Sequence, residues 1–208
     1  MSEKGANSIL IEPHYLPGIS WVLQVAQYDT VYLDVSSNYV KASYRNRCRV
    51  LSPNGVLTLS VPLAKANGNR DTMKTVKISY EEDWQKIHWM TLMSCYRRSP
   101  YFEFFEDTLA PYYQKKYDLL IDLNYDLLKL LFKICKVRTE IRFTEQYIEP
   151  GTAGFDDFRN IITPKFNNPL KIQLPKYPQV FSDRFDFFSD LSMIDLIFND
   201  GKINLAKL

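Results

Sequence analysis

The spacing of apolar positions changes several times along the chain, and each change marks an element. Ser8 to Glu12 (SILIE) is a short continuous apolar run, which predicts a buried strand. Pro13 to Gly18 carries two prolines and a glycine and predicts an extended loop. Trp21, Val22, Val25 and Ala26 then form the apolar stripe of a helix over Ile19–Tyr28, and Thr30–Val35 (TVYLDV) predicts a second strand. A β-loop-α-β opening of this kind often places the loop after its first strand beside a ligand. Arg47–Ser52 and Val56–Leu63 flank Pro53-Asn54-Gly55, where Asn-Gly supplies the positive φ of a tight hairpin turn. Ala64–Asp71 is polar and loop-like, and Thr75–Tyr80 (TVKISY) predicts a further strand.

Helical periodicity follows. Asp83 stands at the N-cap of a helix over Trp84–Arg98, whose expected buried face is Trp84, Ile87, His88, Thr91 and Cys95. Ser99-Pro100 ends it. A second helix spans Phe102–Lys115 with an interruption at Pro111. The third, Tyr117–Lys136, buries Leu119, Leu120, Leu123, Leu127, Leu130, Leu131 and Ile134. Ile141–Tyr147 returns to strand. From about residue 149 to 208, prolines alternate with aromatics, which reads as chain wrapped over the core, with a last helix at Leu191–Phe198. The expectation is one α+β domain over 1–208: a mixed sheet with a β-loop-α-β opening and a hairpin, packed against a helical middle segment.

Composition changes this picture little. The chain has 208 residues, 46% of them hydrophobic, enough for a self-sufficient core. A net charge of +2 gives no global signal for nucleic acid. The three cysteines, Cys48, Cys95 and Cys135, have no metal-ligand spacing and suit a reducing, cytoplasmic setting. The first eight residues lack the layout of a signal peptide, and Leu119–Val137 is broken by charges, so no membrane span is expected.

Candidate chemistry gathers at two places. Between Tyr39 and Leu51 there are four cations, Lys41, Arg45, Arg47 and Arg49, and no acid. If Ser43–Leu51 is extended, the three arginines share one face, either as an anion site suited to a phosphate-bearing small molecule or paired with carboxylates such as Glu12, Asp29 or Asp34. The second place is the first loop, where extended geometry puts Glu12 and His14 on one side, so that a carboxylate orients an imidazole for general-base work. His88, on the apolar face of its helix near Trp84, is a second candidate base or a hydrogen-bonded core residue. No GxSxG, P-loop, GxGxxG or HExxH motif is present, and nothing calls for a metal or a cofactor.

Five stretches in order carry a family resemblance: EPHYLP (12–17), NYVKASYRNRCR (38–49), SPNGVLTLSVP (52–62), WQKIHW (84–89) with Tyr96 and SPYF (99–102), and LSMIDLIFN (191–199). Together they resemble the bacterial WbqC-like family over nearly the whole chain. Some members of that family sit in O-antigen gene clusters, and a glycine-transferase role has been proposed for it. Many members carry His-Gln-Pro where this chain reads Glu12-Pro13-His14. The resemblance implies a transferase moving an aminoacyl or acyl group onto a sugar in surface-polysaccharide assembly, or else a non-catalytic module binding a phosphorylated metabolite or an assembly partner. Glu12, His14 and His88 are the expected catalytic groups. Lys41, Arg45, Asn46, Arg47, Tyr15 and Trp84 are the expected substrate contacts, with Asn46 a candidate donor to an oxyanion. The C-terminal third is open to use as a homodimer interface or as a lid.

Overall fold

A computed structural model describes residues 7–65, 71–165, 170 and 172–201. The polar loop expected at 64–71 therefore falls largely outside the described residues, as do the first six residues and the parts of the C-terminal wrap at 166–169, 171 and 202–208.

Four strands form one parallel sheet in the order β5 (Glu140–Phe143), β2 (Thr30–Leu33), β1 (Ser8–Ile11), β6 (Asp156–Asp157). In β1, Ile9, Leu10 and Ile11 are all buried, as a central parallel strand covered on both faces requires. Helix α1 (Ile19–Val25) is the crossover from β1 to β2, and every residue in it is buried. The antiparallel hairpin β3 (Arg47–Ser52) and β4 (Gly55–Ser60) stands as a separate two-stranded ribbon, turning at Gly55 with φ 99°.

The helical middle contains α2 (Trp84–Tyr96), α3 (Phe102–Leu109), α4 (Pro111–Gln114), α5 (Leu120–Cys135) and, near the C-terminus, α6 (Met193–Asp200). Pro111 divides the expected second helix, opening α4 where its missing N–H costs nothing. Helix α5 buries Leu120, Leu123, Leu127, Leu130 and Leu131, and ends on Lys136 in the left-handed region (φ 55°). One hydrophobic cluster joins the sheet, the hairpin and the helices. This is a single α+β domain.

Two expectations need correction, and one strand is additional. Thr75–Tyr80 is not a strand, because its backbone partners are scattered. Ile78 donates to Asp118, Ser79 to Pro62, and the Val76 carbonyl accepts from Leu120, so no ladder forms while Val76 and Ile78 fill the core. The buried face of α2 is rotated to Trp84, Gln85, His88, Leu92, Cys95 and Tyr96, which leaves Ile87 55% exposed. Strand β6 has no apolar alternation and is held by parallel pairing of Asp156 and Asp157 with Ile9 and Leu10.

The wrap is pinned to the core at a buried carboxylate. Tyr96 and Tyr177 each donate to Asp195 at 2.6 Å, and the Tyr96 hydroxyl accepts the Leu51 N–H at 3.0 Å. Burial raises the Asp195 carboxyl against the pull of these donors.

Candidate functional site

The strand order fixes where a site can form. From β1 the chain moves to β2 on one side, and β6 later pairs on the other side of β1. The carboxyl ends of β1 and β6 thus flank the point where the order reverses, the place where open parallel sheets form a crevice. Beyond β1 come Glu12 and His14, and beyond β6 come Arg159 and Asn160.

These residues meet. Glu12 Oε1 lies 3.6 Å from His14 Nε2 and 4.0 Å from Arg45 Nη1, while Glu12 Oε2 accepts the Asn160 N–H at 2.9 Å. Arg45 Nη2 donates to Asn160 Oδ1 at 3.2 Å, and Asn124 on α5 donates to the Arg45 carbonyl at 2.8 Å. Glu12, His14 and Arg45 are only 1%, 2% and 3% exposed. Burial alone would raise the Glu12 carboxyl, but His14, Arg45 and the Asn160 N–H outweigh it and hold the group below its ordinary value. Burial pushes the His14 imidazole below its ordinary value against the pull of Glu12. The resting pair is therefore a carboxylate beside a neutral imidazole. With Nε2 turned to the carboxylate, the ring proton belongs on Nε2 and the lone pair on Nδ1.

The same-side expectation for Glu12 and His14 holds, and alternation sends Tyr15 the opposite way. Its hydroxyl meets His88 Nδ1 and the Tyr113 hydroxyl, each at 3.0 Å. Trp84 packs edge-on to His88 at 5.1 Å, whereas His14 lies against Trp21 and Tyr44. The two histidines thus have separate neighbours. Burial lowers His88 to about 4, so it is a neutral, hydrogen-bonded core group at neutral pH. Burial also pushes the Cys48 thiol well up, which leaves it unreactive.

The arginine row does not form. Strand β3 begins at Arg47, so Arg45 lies in the preceding turn and directs its guanidinium to Glu12 and Asn160. Arg47 is half-buried with no partner on Nε, and Arg49 bonds the Tyr44 hydroxyl. Lys41 is exposed on a turn. Asn46 donates to the Val61 carbonyl at 2.8 Å, leaving its buried Oδ1 without a partner. Among the eight buried polar side-chain atoms that lack a partner in the described residues, six belong to His14, Arg45, Asn46, Arg47 and Asn124. Such atoms are rare in folded proteins.

Asn124, Asn160 and Arg159 escape sequence reasoning. Arg159 pairs with Asp34 at 3.2 Å and with Asp157, bracing the tail of β6 against the end of β2. The register of β6 brings in Arg159 and Asn160, and a two-residue strand carries no periodic signal, while Asn124 arrives on α5. A narrow cleft lined by Tyr15, Tyr44, Cys48, Arg49 and Asp190 adjoins His14 through Tyr44, with room for about one water molecule. A groove of about 780 Å³ lies elsewhere, between the hairpin and α2, and holds none of the expected site residues. Among the described residues no group of three acidic, histidine or cysteine side chains is placed to hold a metal, and no helix is long and apolar enough to cross a membrane.

No solved structure matches the chain. Among curated proteins, "Uncharacterized protein Rv1507c" of Mycobacterium tuberculosis (strain ATCC 25618 / H37Rv) is 24% identical over 139 residues, 66% of this chain. The aligned region spans 60% of that relative's length. The model of the WbqC-like protein family matches residues 12–163, a span that starts at Glu12 and contains His14, Arg45, Asn124 and Asn160. The chain belongs to the WbqC-like protein family.

Proposed function

We propose that the protein is a transferase that moves an aminoacyl or acyl group onto a sugar in surface-polysaccharide assembly, with His14 as general base. The supporting observation is the Glu12–His14 pair, which sits at the strand-order reversal with neither imidazole nitrogen hydrogen-bonded. Nδ1 takes the proton of the acceptor hydroxyl or amine as that atom bonds to the acyl carbon. The bond from that carbon to the leaving group breaks, and the proton passes to the departing atom. Arg47, whose Nε has no partner, is the guanidinium for a phosphate on the donor, since Glu12 already neutralises Arg45.

The test is product formation by mass spectrometry, with acyl-CoA and aminoacyl-adenylate donors against nucleotide-sugar acceptors. His14→Gln should lower turnover at least about 100-fold, as loss of a general base does. Equal turnover in His14→Gln removes the base assignment. A second reading, a binding module without chemistry, is favoured by the near-complete burial of His14. It gains if a nucleotide-sugar raises the melting temperature while no donor gives product.

A further inference from the structure

We propose that Asn160 is a positioning residue that fixes the tautomer of His14 by locking the Glu12 carboxylate and the Arg45 guanidinium together. The proposal rests on the reading of His14 as the base and names what holds it ready.

The register of β6 delivers Asn160 to this place. Leu10 pairs with Asp157, and Phe158 donates to the Leu10 carbonyl at 2.8 Å, so the chain leaving β6 passes alongside Glu12. At Asn160 the backbone turns left-handed, with φ 59°, a conformation that asparagine tolerates better than any other residue except glycine. The turn aims the Asn160 N–H at Glu12 Oε2 and its Oδ1 at Arg45 Nη2. Both contacts come from one residue and are made to two oppositely charged side chains. They hold the carboxylate plane so that Oε1, the other oxygen, faces His14 Nε2. Next door, Arg159 is bound to Asp34, to Asp157 and to the Ile148 carbonyl, so the segment presenting Asn160 is braced from the opposite side.

The groups acting on His14 come from three segments. Glu12 stabilises its charged form, Arg45 opposes it, and Asp190, ahead of α6, favours it weakly, while the Tyr44 and Trp21 rings exclude water. Glu12 is the group that distinguishes the two ring nitrogens by direct approach. A carboxylate free to rotate would lose that discrimination, and a guanidinium free to swing would change the carboxylate's pull. Asn160 restrains both.

The experiment is nitrogen NMR of imidazole-labelled full-length protein across pH, with His88→Gln as the background that assigns the His14 signals. In the parent, the Nε2 and Nδ1 signals of His14 should lie far apart, as in a single neutral tautomer. Asn160→Gly tolerates the left-handed backbone and removes the side chain with its Oδ1 acceptor while keeping the N–H, and Asn160→Ala also strains the turn that aims the N–H. Both should bring the two signals together and move the His14 titration midpoint. Asn160→Asp, which retains the acceptor and tolerates the left-handed backbone, should restore the separation. If Gly and Ala variants that remain folded by amide spectra keep the parent's separation and midpoint, Asn160 has no positioning role. The readout needs no turnover. Collapsed signals in a protein that transfers no acyl group would uphold Asn160 and sink the transferase reading, whereas turnover with unchanged signals would do the reverse.

Discussion

Replacing Glu12 by glutamine keeps the shape of the side chain and removes its charge, which tests whether the buried cluster is an ion pair or a set of polar contacts. Glu12 faces donors on every side: Arg45 Nη1 at 4.0 Å, the Asn160 N–H at 2.9 Å and His14 Nε2 at 3.6 Å. A glutamine amide must turn its NH2 toward one of them, and Arg45, 3% exposed, is left charged with no counter-ion. At the observed 4.0 Å and an effective dielectric of about 20, the lost attraction is about 4 kcal/mol. That agrees with the roughly 3–5 kcal/mol typical of removing one partner from a buried pair. For a chain of this size the melting temperature should fall on the order of 10 °C. Urea unfolding of Glu12→Gln, Arg45→Met and the double variant completes a cycle, and the double variant should be more stable than the sum of the singles by at least about 2 kcal/mol. Because the Glu12 carboxyl is held low, the wild-type advantage should be full above its ordinary value of 4.5 and vanish as pH falls through its lowered value. A loss under about 1 kcal/mol with no coupling would mean that Glu12 is not the counter-charge argued for here.

Two further predictions concern the frame around the site. Tyr96→Phe strands the Leu51 N–H and strips a donor from Asp195, so it should cost about 3 kcal/mol in urea unfolding. Tyr177→Phe should cost less, since Gln179 still reaches the same Asp195 oxygen. Asp195 is raised in the fold, so the Tyr96→Phe deficit should shrink as pH falls through that raised value and the carboxylate, now one donor short, protonates. A deficit that grows toward low pH would contradict the charge assignment. Burial lowers His88 from 6.5 to about 4, so the native state lags the unfolded chain in taking up its proton. The His88 contribution should fall by up to about 3 kcal/mol between those two pH values and be flat above 6.5. Its measure is the pH slope of unfolding free energy in wild type against His88→Gln, and parallel slopes would refute it.

How far the site was legible in the sequence depends on chain separation. The opening was readable because a short apolar run, a proline-flanked loop and an amphipathic stripe are local signals, and same-side placement of Glu12 and His14 follows from extended geometry alone. The hairpin was readable from Asn54-Gly55 in the same way. The arginine row failed for a local reason: the chain turns through 41–46, so extended alternation does not reach back to Arg45. On α2 the expected face held at Trp84, His88 and Cys95 but missed at Ile87, which points outward, and at Gln85, which turns inward to donate to the Tyr112 and Lys115 carbonyls. Hydrophobicity alone ranks those residues the wrong way round. Asn160 was beyond reach, since it meets Glu12 across 148 residues through a two-residue strand.

The burial that makes Glu12–His14 a defined pair also shuts it away, and the two properties have one structural source. Asp190 binds the start of α1 through the Ser20 N–H and hydroxyl, each at 2.8 Å, with a backbone φ of 55°. Gly18 makes room for it, since a Cβ there would lie 3.2 Å from Asp190 Oδ1. Ser192 bonds the Leu16 and Arg49 backbones, and Met193 bonds Pro17, so the segment ahead of α6 is laced onto the loop that carries His14. That enclosure disfavours the charged imidazole, so His14 stays neutral below its ordinary value. A substrate can reach Nδ1 only if some of this lacing, or the Tyr44 ring, gives way. While both stay closed, the two His14 nitrogens remain buried without a hydrogen-bond partner, an arrangement that costs stability rather than adding to it.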